Sequence, residues 1–354
     1  MTTLLIIIVI ALLGITFWQL SKIVKLSKPA DSNDTEIADN KDNKTQAKLM
    51  LVFTVFLYGL MFYSFWEYGK LLLPESASEH GHTFDQLMLI SMGLLIFVQM
   101  ITQFLLHWFA YKYHGKKGRK ALFYADNDKL EFIWTIIPVI ALAGLIIYGL
   151  FSWNDIMNLE ETDDTLVIEI YAYQFDWRAR YAGDDKTLGK ANVRFIEGVN
   201  QLGLDESDPY TEDDIIVSEL HLPKGKPVIF KFRSQDVLHS AYFPHFRAQM
   251  NVVPGMITQF GFTPTLTTAE MRETDHMIDK VHNINEIRQE NSIELEAKGD
   301  MPLEEYEFDY FMLCNKICGA SHYNMQMKII VEEEEDFDAW LSEQQTFQEL
   351  TAKK

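Results

Sequence analysis

Two cysteines, a histidine and a methionine lie close together near the end of the chain, in the segment CNKICGASHYNM. Cys314, Cys318, His322 and Met325 follow a Cys-x3-Cys-x3-His-x2-Met pattern, and no other cysteine occurs in the 354 residues. Thiolate, imidazole and thioether are soft ligands, and among the common metals this set favours copper. One further imidazole would complete a site for two coppers bridged by the two sulfurs. His239, in SQDVLHSAYFPHFRAQMNVVPG, is the candidate.

Three other interpretations of this cluster account for fewer of its residues. A structural zinc ion can take two cysteines and two histidines, but it would leave Met325 without a role. A mononuclear blue-copper site uses one cysteine, so the second cysteine argues against it. A disulfide between Cys314 and Cys318 would leave the neighbouring histidine and methionine unexplained.

The other histidines are weaker ligand candidates. His245, six residues after His239, is predicted to lie at a surface or interface. His221 falls in a predicted strand and should be satisfied by local hydrogen bonds. His80 and His82 fall in a predicted exterior loop.

Long apolar stretches occupy the first half of the chain and approach or exceed the roughly 20 residues that span a bilayer. They cover residues 3–24, 49–73, 86–111 and 132–152. The first has no positive segment before it, so we interpret it as a retained helix rather than a signal peptide. Cations cluster between the third and fourth stretches, at Lys112, Lys116, Lys117, Arg119 and Lys120. They place that loop in the cytoplasm, and everything after residue 152 outside.

The negative charge of the chain is concentrated in its second half. The formal net charge is −20, and residues 153–354 contain 39 Asp and Glu against 18 Lys and Arg. Such a surface repels nucleic acid and attracts basic protein surfaces, chiefly by speeding their encounter. Solubility alone is the alternative explanation.

Short alternating apolar segments replace the long apolar runs from residue 165 onward. TLVIEIYAY, VSELHLP, KPVIFKFRS, MITQFGFTP and MQMKIIVEE are typical of strands bounded by turn residues. Short strands without intervening helices predict a β-sandwich or a Greek-key barrel. Two segments interrupt this pattern: an acidic insertion at 183–215, and a helical one at 267–298 that opens with Thr267 and Glu270 spaced as a capping box. A short helix is expected in DFDAWLSEQQTFQEL.

These motifs resemble subunit II of the haem–copper cytochrome c oxidases. In that family the cysteine loop usually reads C-x-E-x-C-G-x-x-H-x-x-M, and the upstream histidine lies in D-V-x-H-S followed by P-G. Both motifs occur here in the same order, and LEFIWTIIP at 130–138 is similar to the start of the family's second transmembrane helix. The resemblance covers roughly residues 86–340. It implies a membrane-anchored α + β fold, in which N-terminal transmembrane helices precede a cupredoxin-like Greek-key β-sandwich or barrel.

The resemblance also divides the chain into domains. Residues 1–48 would form an extra N-terminal transmembrane helix and a mobile polar linker, and 49–152 three transmembrane helices, of which 86–111 and 132–152 are the family's usual pair. Residues 153–342 would form a periplasmic copper domain, and 343–354 a C-terminal tail.

By resemblance, the chain is the electron-transfer subunit of a cytochrome c oxidase. Its binuclear copper centre, called CuA, would accept electrons from cytochrome c and pass them to haem in subunit I. There oxygen is reduced to water and protons are pumped. This chain has no Cys-x-x-Cys-His haem attachment. The implied copper ligands are His239, Cys314, the backbone carbonyl of Lys316, Cys318, His322 and Met325.

Two features of the resemblance bear on electron and proton transfer. The family's aromatic segment usually reads Q-W-x-W, with the first Trp where cytochrome docks, and here it reads Gln174-Phe175-Asp176-Trp177. Phe175 and Trp177 are candidates for the point where electrons enter, with strand packing as the alternative. Phe175 in the docking position suggests a donor cytochrome held within a larger assembly. Glu131 matches a glutamate at the mouth of a proton pathway into subunit I, with a merely interfacial residue as the alternative.

The family's magnesium site at the boundary with subunit I is not reproduced in the sequence. Lys316 replaces a glutamate that reaches the magnesium, and a lysine cannot ligate a cation. Gln249 and Asn251 replace a Lys and an Asp ahead of Pro254 and Gly255. We therefore hypothesise that the magnesium site is altered or absent.

The implied partners are oxidase subunits I and III, cytochrome c or a cytochrome c domain of a quinol-oxidising complex, and the lipid bilayer, with no nucleic acid. The implied location is a bacterial inner membrane crossed several times, with the copper domain in the periplasm. Three alternatives fit the motifs less well. A quinol oxidase subunit II lacks the copper ligands, a nitrous-oxide-reducing enzyme needs a large catalytic domain, and a periplasmic copper carrier does not need four membrane spans.

Overall fold

Four long helices precede the strands of the chain. The computed structural model describes residues 2–26 and 40–352. The helices are α1 (Thr2–Leu26), α2 (Asn40–Tyr68), α3 (Glu79–Lys112) and α4 (Asp128–Met157). Among the described residues, three stretches are long and apolar enough to cross a membrane: Asn40–Leu71, Glu79–Lys112 and Asp128–Met157. The apolar part of α1 is shorter, at Ile8–Ser21, so its crossing of the membrane stays a prediction.

All four helices begin before the predicted apolar stretches, and α2 and α3 do so by the most residues. Helix α2 begins at Asn40, so residues 40–48 of the polar linker are helical, while residues 29–39 lie outside the described part of the chain. Helix α3 begins at Glu79, so His80 and His82 lie on a helix, and their predicted position in a loop was wrong.

Ten strands follow α4. They are β1 (Leu166–Tyr173), β2 (Asp176–Tyr181), β3 (Ile215–Val217), β4 (Leu220–Pro223), β5 (Val228–Ser234), β6 (His239–Phe243), β7 (Ala248–Val252), β8 (Thr258–Phe262), β9 (Tyr310–Cys314) and β10 (Gln326–Glu332). They form two five-stranded sheets, in the orders β3-β2-β1-β5-β8 and β4-β10-β9-β6-β7. The predicted strand VSELHLP is broken, because β3 and β4 belong to different sheets.

The core of the sandwich lies between the two sheets. Strands distant in sequence pair in parallel, β1 with β5 and β4 with β10, so the chain crosses repeatedly between the layers. Alternate side chains of each strand then point into a core rich in aromatic rings. Phe230, Phe243 and Phe262 pack there with ring centroids 5.1–5.5 Å apart.

The segment that leads into α3 is fixed to the sandwich. The N–H of Ala77 donates to the carbonyl of His245 at 2.9 Å, and the hydroxyl of Ser78 to that of Phe246 at 2.6 Å. The guanidinium of Arg247 pairs with Asp85 in α3 at 2.7 Å. This loop is therefore packed against the sheet rather than freely solvated.

The acidic insertion covers a buried ion-pair network. Arg180 in β2 pairs with Glu169 in β1 and, at 2.7 Å, with Asp214, which follows the insertion's short helical turns. Glu169 also accepts a hydrogen bond from Arg233 in β5 at 2.7 Å. Glu169, Arg180 and Asp214 are buried, so each of their charges depends on its partners for stabilisation.

The second interruption is helical, as predicted, but in two parts: α5 (Thr268–Arg272) and α6 (Asp275–Lys298). Thr267 and Glu270 form the expected capping box. The chain ends in α7 (Glu334–Ser342) and α8 (Phe347–Ala352), and Phe347 is buried. The predicted domain boundaries stay predictions. By backbone proximity the described residues divide into two units, one of 2–26, 40–67 and 95–127, and the other of 68–94 and 128–352.

Candidate metal centre

Three adjacent strands of one sheet bring the predicted ligands together. His239 is the first residue of β6, Cys314 is the last residue of β9, and Met325 immediately precedes β10. Strand β9 lies between β6 and β10, with Ala241 opposite Cys314. The segment between β9 and β10, residues 315–325, is called the ligand loop. The N–H of Cys314 donates to the carbonyl of Met325 at 3.0 Å, which closes this loop at its base.

The donor atoms converge at the end of the sheet. The Sγ atoms of Cys314 and Cys318 are 3.9 Å apart. Nδ1 of His239 lies 3.8 Å from Cys314 Sγ, and Nδ1 of His322 lies 3.6 Å from Cys318 Sγ. Each sulfur therefore has its own imidazole.

Two weaker donors complete the set. The Sδ of Met325 lies 3.7 Å from Cys318 Sγ, and the carbonyl oxygen of Lys316 lies 3.3 Å from Cys314 Sγ. The two thiols, His239 and Met325 are buried, whereas His322 is partly exposed. The six predicted ligands therefore surround one small space.

The chemistry of this space fits a thiophilic metal. A disulfide requires an S–S distance of about 2.05 Å, and the separation of 3.9 Å shows that both cysteines are free. A metal ion about 2.3 Å from each sulfur can fit between them. His239, Cys314 and Cys318 have ligand atoms within 4.8 Å of one another. With two imidazoles, a thioether and a carbonyl beside the thiols, the set matches copper better than zinc.

A carboxylate sets the orientation of His239. Nε2 of this fully buried histidine lies 2.9 Å from Oδ1 of Asp236. Because a carboxylate only accepts hydrogen bonds, Nε2 carries the proton of the neutral ring, which leaves the Nδ1 lone pair free for a metal; in the protonated ring Nδ1–H donates to Cys314 instead. Trp177 packs against the same ring, with centroids 5.9 Å apart in an edge-to-face arrangement. The histidine is therefore held in one tautomer and one orientation.

The surroundings of the two thiols shift their pKa values in opposite directions. Burial opposes ionisation of Cys314, but hydrogen bonds from His239 and nearby backbone lower its pKa to about 6. Burial and the adjacent Cys314 raise the pKa of Cys318 to about 11. Burial likewise opposes protonation of His239, yet Cys314 and Asp236 raise its pKa. A bound metal cation would offset the unfavourable ionisation of Cys318, because thiols that bind a metal lose their protons.

Two residues beside the centre were not singled out from the sequence. Asp236 lies three residues before His239, in the quoted D-V-x-H-S pattern, which was the available signal. Gln174 donates from its side-chain amide to the carbonyl of Cys318 and from its backbone N–H to Asp236 Oδ2, the latter at 2.8 Å. Only the three-dimensional fold brings Gln174 to these partners.

Of the other predicted residues, Phe175 and Trp177 contact the candidate ligands or their loop, and the side chains of Glu131 and Lys316 do not. Phe175 packs on the ligand loop, since a Cβ at Gly319 would lie 2.7 Å from its ring. Trp177 is a fully buried strand residue next to His239. Glu131 lies in the first turn of α4 and Lys316 is exposed, so neither side chain belongs to the metal centre.

Two other histidines, His221 and His245, pack against aromatic rings away from the candidate ligands. His221 stacks on Trp340 with ring centroids 3.7 Å apart and pairs with Glu332 at 2.6 Å, which confirms that it is satisfied locally. The predicted surface position of His245 was wrong. It is buried between the rings of Phe308 and Tyr310, and burial lowers its pKa to about 4.

The fold and the site define a class of protein: a membrane-anchored β-sandwich with a cysteine, histidine and methionine metal centre at one end of a sheet. Residues 66–153 match the family model described as cytochrome c oxidase subunit II, transmembrane domain. The alternative cytochrome c oxidase subunit 2 of Bradyrhizobium diazoefficiens is 34% identical over 245 residues, which cover 69% of this chain and 73% of that protein. The chain belongs to the cytochrome c oxidase subunit II family, and its sandwich is the predicted cupredoxin-like domain.

Other similarities are more distant. Cytochrome c oxidase subunit 2 of Cereibacter sphaeroides is 22% identical over 266 residues, which cover 71% of this chain and 73% of that protein. The crystal structure of the periplasmic domain of cytochrome oxidase subunit II from Bradyrhizobium japonicum is 18% identical, with a TM-score of 0.29, over 52% of this chain and 94% of that one.

Proposed function

We propose that this chain is the electron-transfer subunit of a cytochrome c oxidase and holds a binuclear copper centre. The observation that carries the proposal is the pair of free thiols 3.9 Å apart, each with its own imidazole 3.6–3.8 Å away. When bound, copper held by these residues would supply a centre that accepts one electron and passes it on. The oxygen chemistry belongs to subunit I of the complex.

The protein's part in this function is to hold the ligands still. His239 and Cys314 stand on paired strands, and Asp236 fixes the His239 tautomer. Residues locked by packing and hydrogen bonds keep the same positions whichever charge the site carries, so little reorganisation accompanies electron transfer. Burial of both thiols keeps water away from the sulfurs. Met325 and the carbonyl of Lys316 would help to hold the copper alongside the thiols and imidazoles.

Phe175 and Trp177 differ in their suitability for electron transfer from a donor. Phe175 is partly buried and contacts the ligand loop, so it supports the proposal that electrons enter here. Trp177 is fully buried against His239, which supports packing and orientation of that ligand. Slower electron uptake from cytochrome c in a Phe175→Ala complex with unchanged copper would support the role of Phe175. Equal uptake would exclude it.

The proposed partners are oxidase subunits I and III and a cytochrome c, diffusible or held within a larger assembly. The proposed location is a bacterial inner membrane with the sandwich in the periplasm, supported by the cations between α3 and α4. Glu131, in the first turn of α4, would serve a proton pathway into subunit I. Slower haem reduction in a Glu131→Ala complex with normal copper would support that role, and unchanged kinetics would refute it.

The magnesium site of the family is proposed to be altered or absent. Lys316 is exposed, and the side-chain amide of Gln249 donates to Ser240 Oγ at 2.7 Å, so its orientation is already determined. A tightly held magnesium or manganese ion at the boundary with subunit I would refute this proposal.

A quinol oxidase subunit II is the competing function. It requires no copper ligands, whereas this chain brings all six predicted ligands to one place. Oxidation of cytochrome c by the purified complex, abolished by His322→Ala together with loss of copper, would establish the copper function. Full turnover in His322→Ala would leave the chain a structural subunit.

A further inference from the structure

Three segments that are distant in sequence meet beside the candidate metal centre. They are the turn between β1 and β2, the residues just before β6, and the ligand loop after β9. Gln174 in the turn is bonded to both of the others. Its backbone N–H donates to Oδ2 of Asp236 at 2.8 Å, and its side-chain amide donates to the carbonyl of Cys318.

The candidate ligands form two halves: a strand half, His239 and Cys314, and a loop half, Cys318, His322 and Met325. Each of the two hydrogen bonds of Gln174 reaches one of these halves. Asp236 accepts from His239 through its other oxygen at 2.9 Å, so the first bond supports the histidine that lies beside Cys314. Cys318 Sγ lies 3.6 Å from Nδ1 of His322 and 3.7 Å from Sδ of Met325, so the second bond reaches the opposite half.

The two halves differ in how the fold supports them. Cys314 belongs to β9 and is held by the sheet, with its N–H bonded to the carbonyl of Met325 at 3.0 Å. Cys318 lies in an irregular loop between β9 and β10 and has no ladder hydrogen bonds. Among the residues that the structure describes, Gln174 provides the side-chain hydrogen bond from outside the loop to the backbone of Cys318.

Gly319 of the ligand loop lies against both residues of the turn, Gln174 and Phe175. Gly319 has a φ of +144°, and a Cβ built there would lie 2.8 Å from Nε2 of Gln174 and 2.7 Å from the ring of Phe175. A residue larger than glycine would therefore require these two side chains to shift. The Cys318–Gly319 peptide lies close to the Gln174 side-chain amide.

We propose that Gln174 is a positioning residue that fixes Cys318 relative to His239. The inference rests on the proposed copper function. The side-chain amide holds the Cys318 carbonyl, and thereby the direction in which its thiolate points. The backbone N–H holds Asp236, and thereby the His239 imidazole. One residue thus ties the loop half of the centre to the strand half.

The test uses the purified complex with Gln174→Ala and Gln174→Glu, and with Gln259→Ala as the control. Both Gln174 variants keep the backbone bond to Asp236 and lose the side-chain donor. The glutamate also places acceptor oxygens against the Cys318 carbonyl. Gln259 is exposed on β8, in the sheet that carries none of the candidate ligands, and undergoes the same chemical change in Gln259→Ala.

The measurements are copper per chain, the EPR spectrum and the rate at which a chelator removes copper. Partners of metal ligands typically contribute roughly 10–100-fold to metal affinity, so we expect at least ten-fold faster copper loss from Gln174→Ala. We expect a still faster loss from Gln174→Glu. The hyperfine coupling to cysteine β-protons should change in both variants, while Gln259→Ala matches the wild type.

The outcomes separate this inference from the proposed function. Wild-type complex with two coppers, and Gln174 variants with wild-type EPR spectra and copper-loss rates, would overturn the role of Gln174 alone. Wild-type complex without copper would overturn the proposed function and this inference with it. If Gln174→Ala holds no copper, Gln174→Asn should retain part of it, because the amide donor persists on a shorter side chain. Complete loss in Gln174→Asn and in Gln259→Ala alike would contradict a specific role.

Discussion

Asp236 accepts a hydrogen bond from Nε2 of His239 at 2.9 Å, and the opposite ring nitrogen lies 3.8 Å from Sγ of Cys314. This pairing determines which nitrogen of a fully buried imidazole is available to a metal. It also places a negative charge one hydrogen bond away from a ligand, which increases the basicity of that ligand. The metal centre therefore extends beyond the residues that would touch copper.

Substitution of Asp236 should weaken copper binding more than substitution of a distant carboxylate. In Asp236→Ala the tautomer of His239 is no longer fixed, so we expect roughly 10–100-fold lower copper affinity. Asp236→Asn keeps an acceptor of the same shape without the charge and should give an intermediate value. Competition with a chelator measures both. Equal affinity in wild type and Asp236→Ala would show that the carboxylate does not act through the histidine.

Removal of the metal should expose the two thiols to oxidation. Their sulfurs are 3.9 Å apart, and a disulfide needs about 2.05 Å, so a small movement of the loop suffices. After chelation in air we expect loss of both free thiols, and recovery of copper binding only after reduction. Copper-loaded protein should keep its thiols under the same conditions. Cys318→Ser, which cannot form this bridge, serves as the control, and two persistent thiols in metal-free wild type would contradict the prediction.

The ion-pair network under the acidic insertion should be essential for stability. Arg180→Met leaves Glu169 and Asp214 buried with one cation fewer, which typically costs about 3–5 kcal/mol of unfolding free energy. Lys231→Met breaks a more exposed ion pair with Glu161 and should change stability by less than about 1 kcal/mol. Denaturant unfolding of the purified chain compares the two variants. Equal stability of both would refute the role assigned to Arg180.

Asp214 should make stability depend on pH. Burial raises its pKa from 3.8 to about 6, although Arg180 partly offsets this effect. The folded protein then binds this proton more tightly than the unfolded chain, so its stabilising contribution is present below about pH 4 and is lost as the pH rises through 6. A difference of about two pKa units corresponds to roughly 3 kcal/mol.

Asp214→Asn removes that titration, because an amide stays neutral. We expect the stability of the variant relative to wild type to rise between pH 4 and pH 7, and to level off above. Asp205→Asn, on a partly buried residue of the same insertion whose pKa hydrogen bonds from Ser207 lower, is the control, because that group stays ionised across this range. A constant difference between Asp214→Asn and wild type across this range would show that Asp214 does not titrate there.

The candidate ligands could be named from sequence because their types and spacing carry the chemistry. The five side chains and one carbonyl lie around one space in the structure, since the loop is short and His239 lies in a recognisable motif, and their binding of copper stays a prediction. The fold class was likewise predictable from alternating strands and long apolar stretches. Those patterns are local, because the spacing of apolar residues within a short segment already indicates a helix or a strand.

The supporting contacts could not be predicted in the same way. Gln174, Asp236 and Cys318 meet only because β1, β5 and β9 lie in particular places in two sheets, and sequence periodicity does not specify such pairing. His245 was placed wrongly at the surface because its polarity suggested exposure, whereas the rings of Phe308 and Tyr310 enclose it. No local sequence pattern indicated the parallel pairing of β1 with β5 either.

The most direct test of the central claim is copper content together with the EPR spectrum of the purified complex, with Cys318→Ser as the matched variant. We expect two coppers per chain and a hyperfine pattern of one electron shared equally by two copper nuclei. This signal should disappear in Cys318→Ser. A single zinc ion, or no metal with a disulfide between Cys314 and Cys318, would contradict the account and leave this chain a structural subunit.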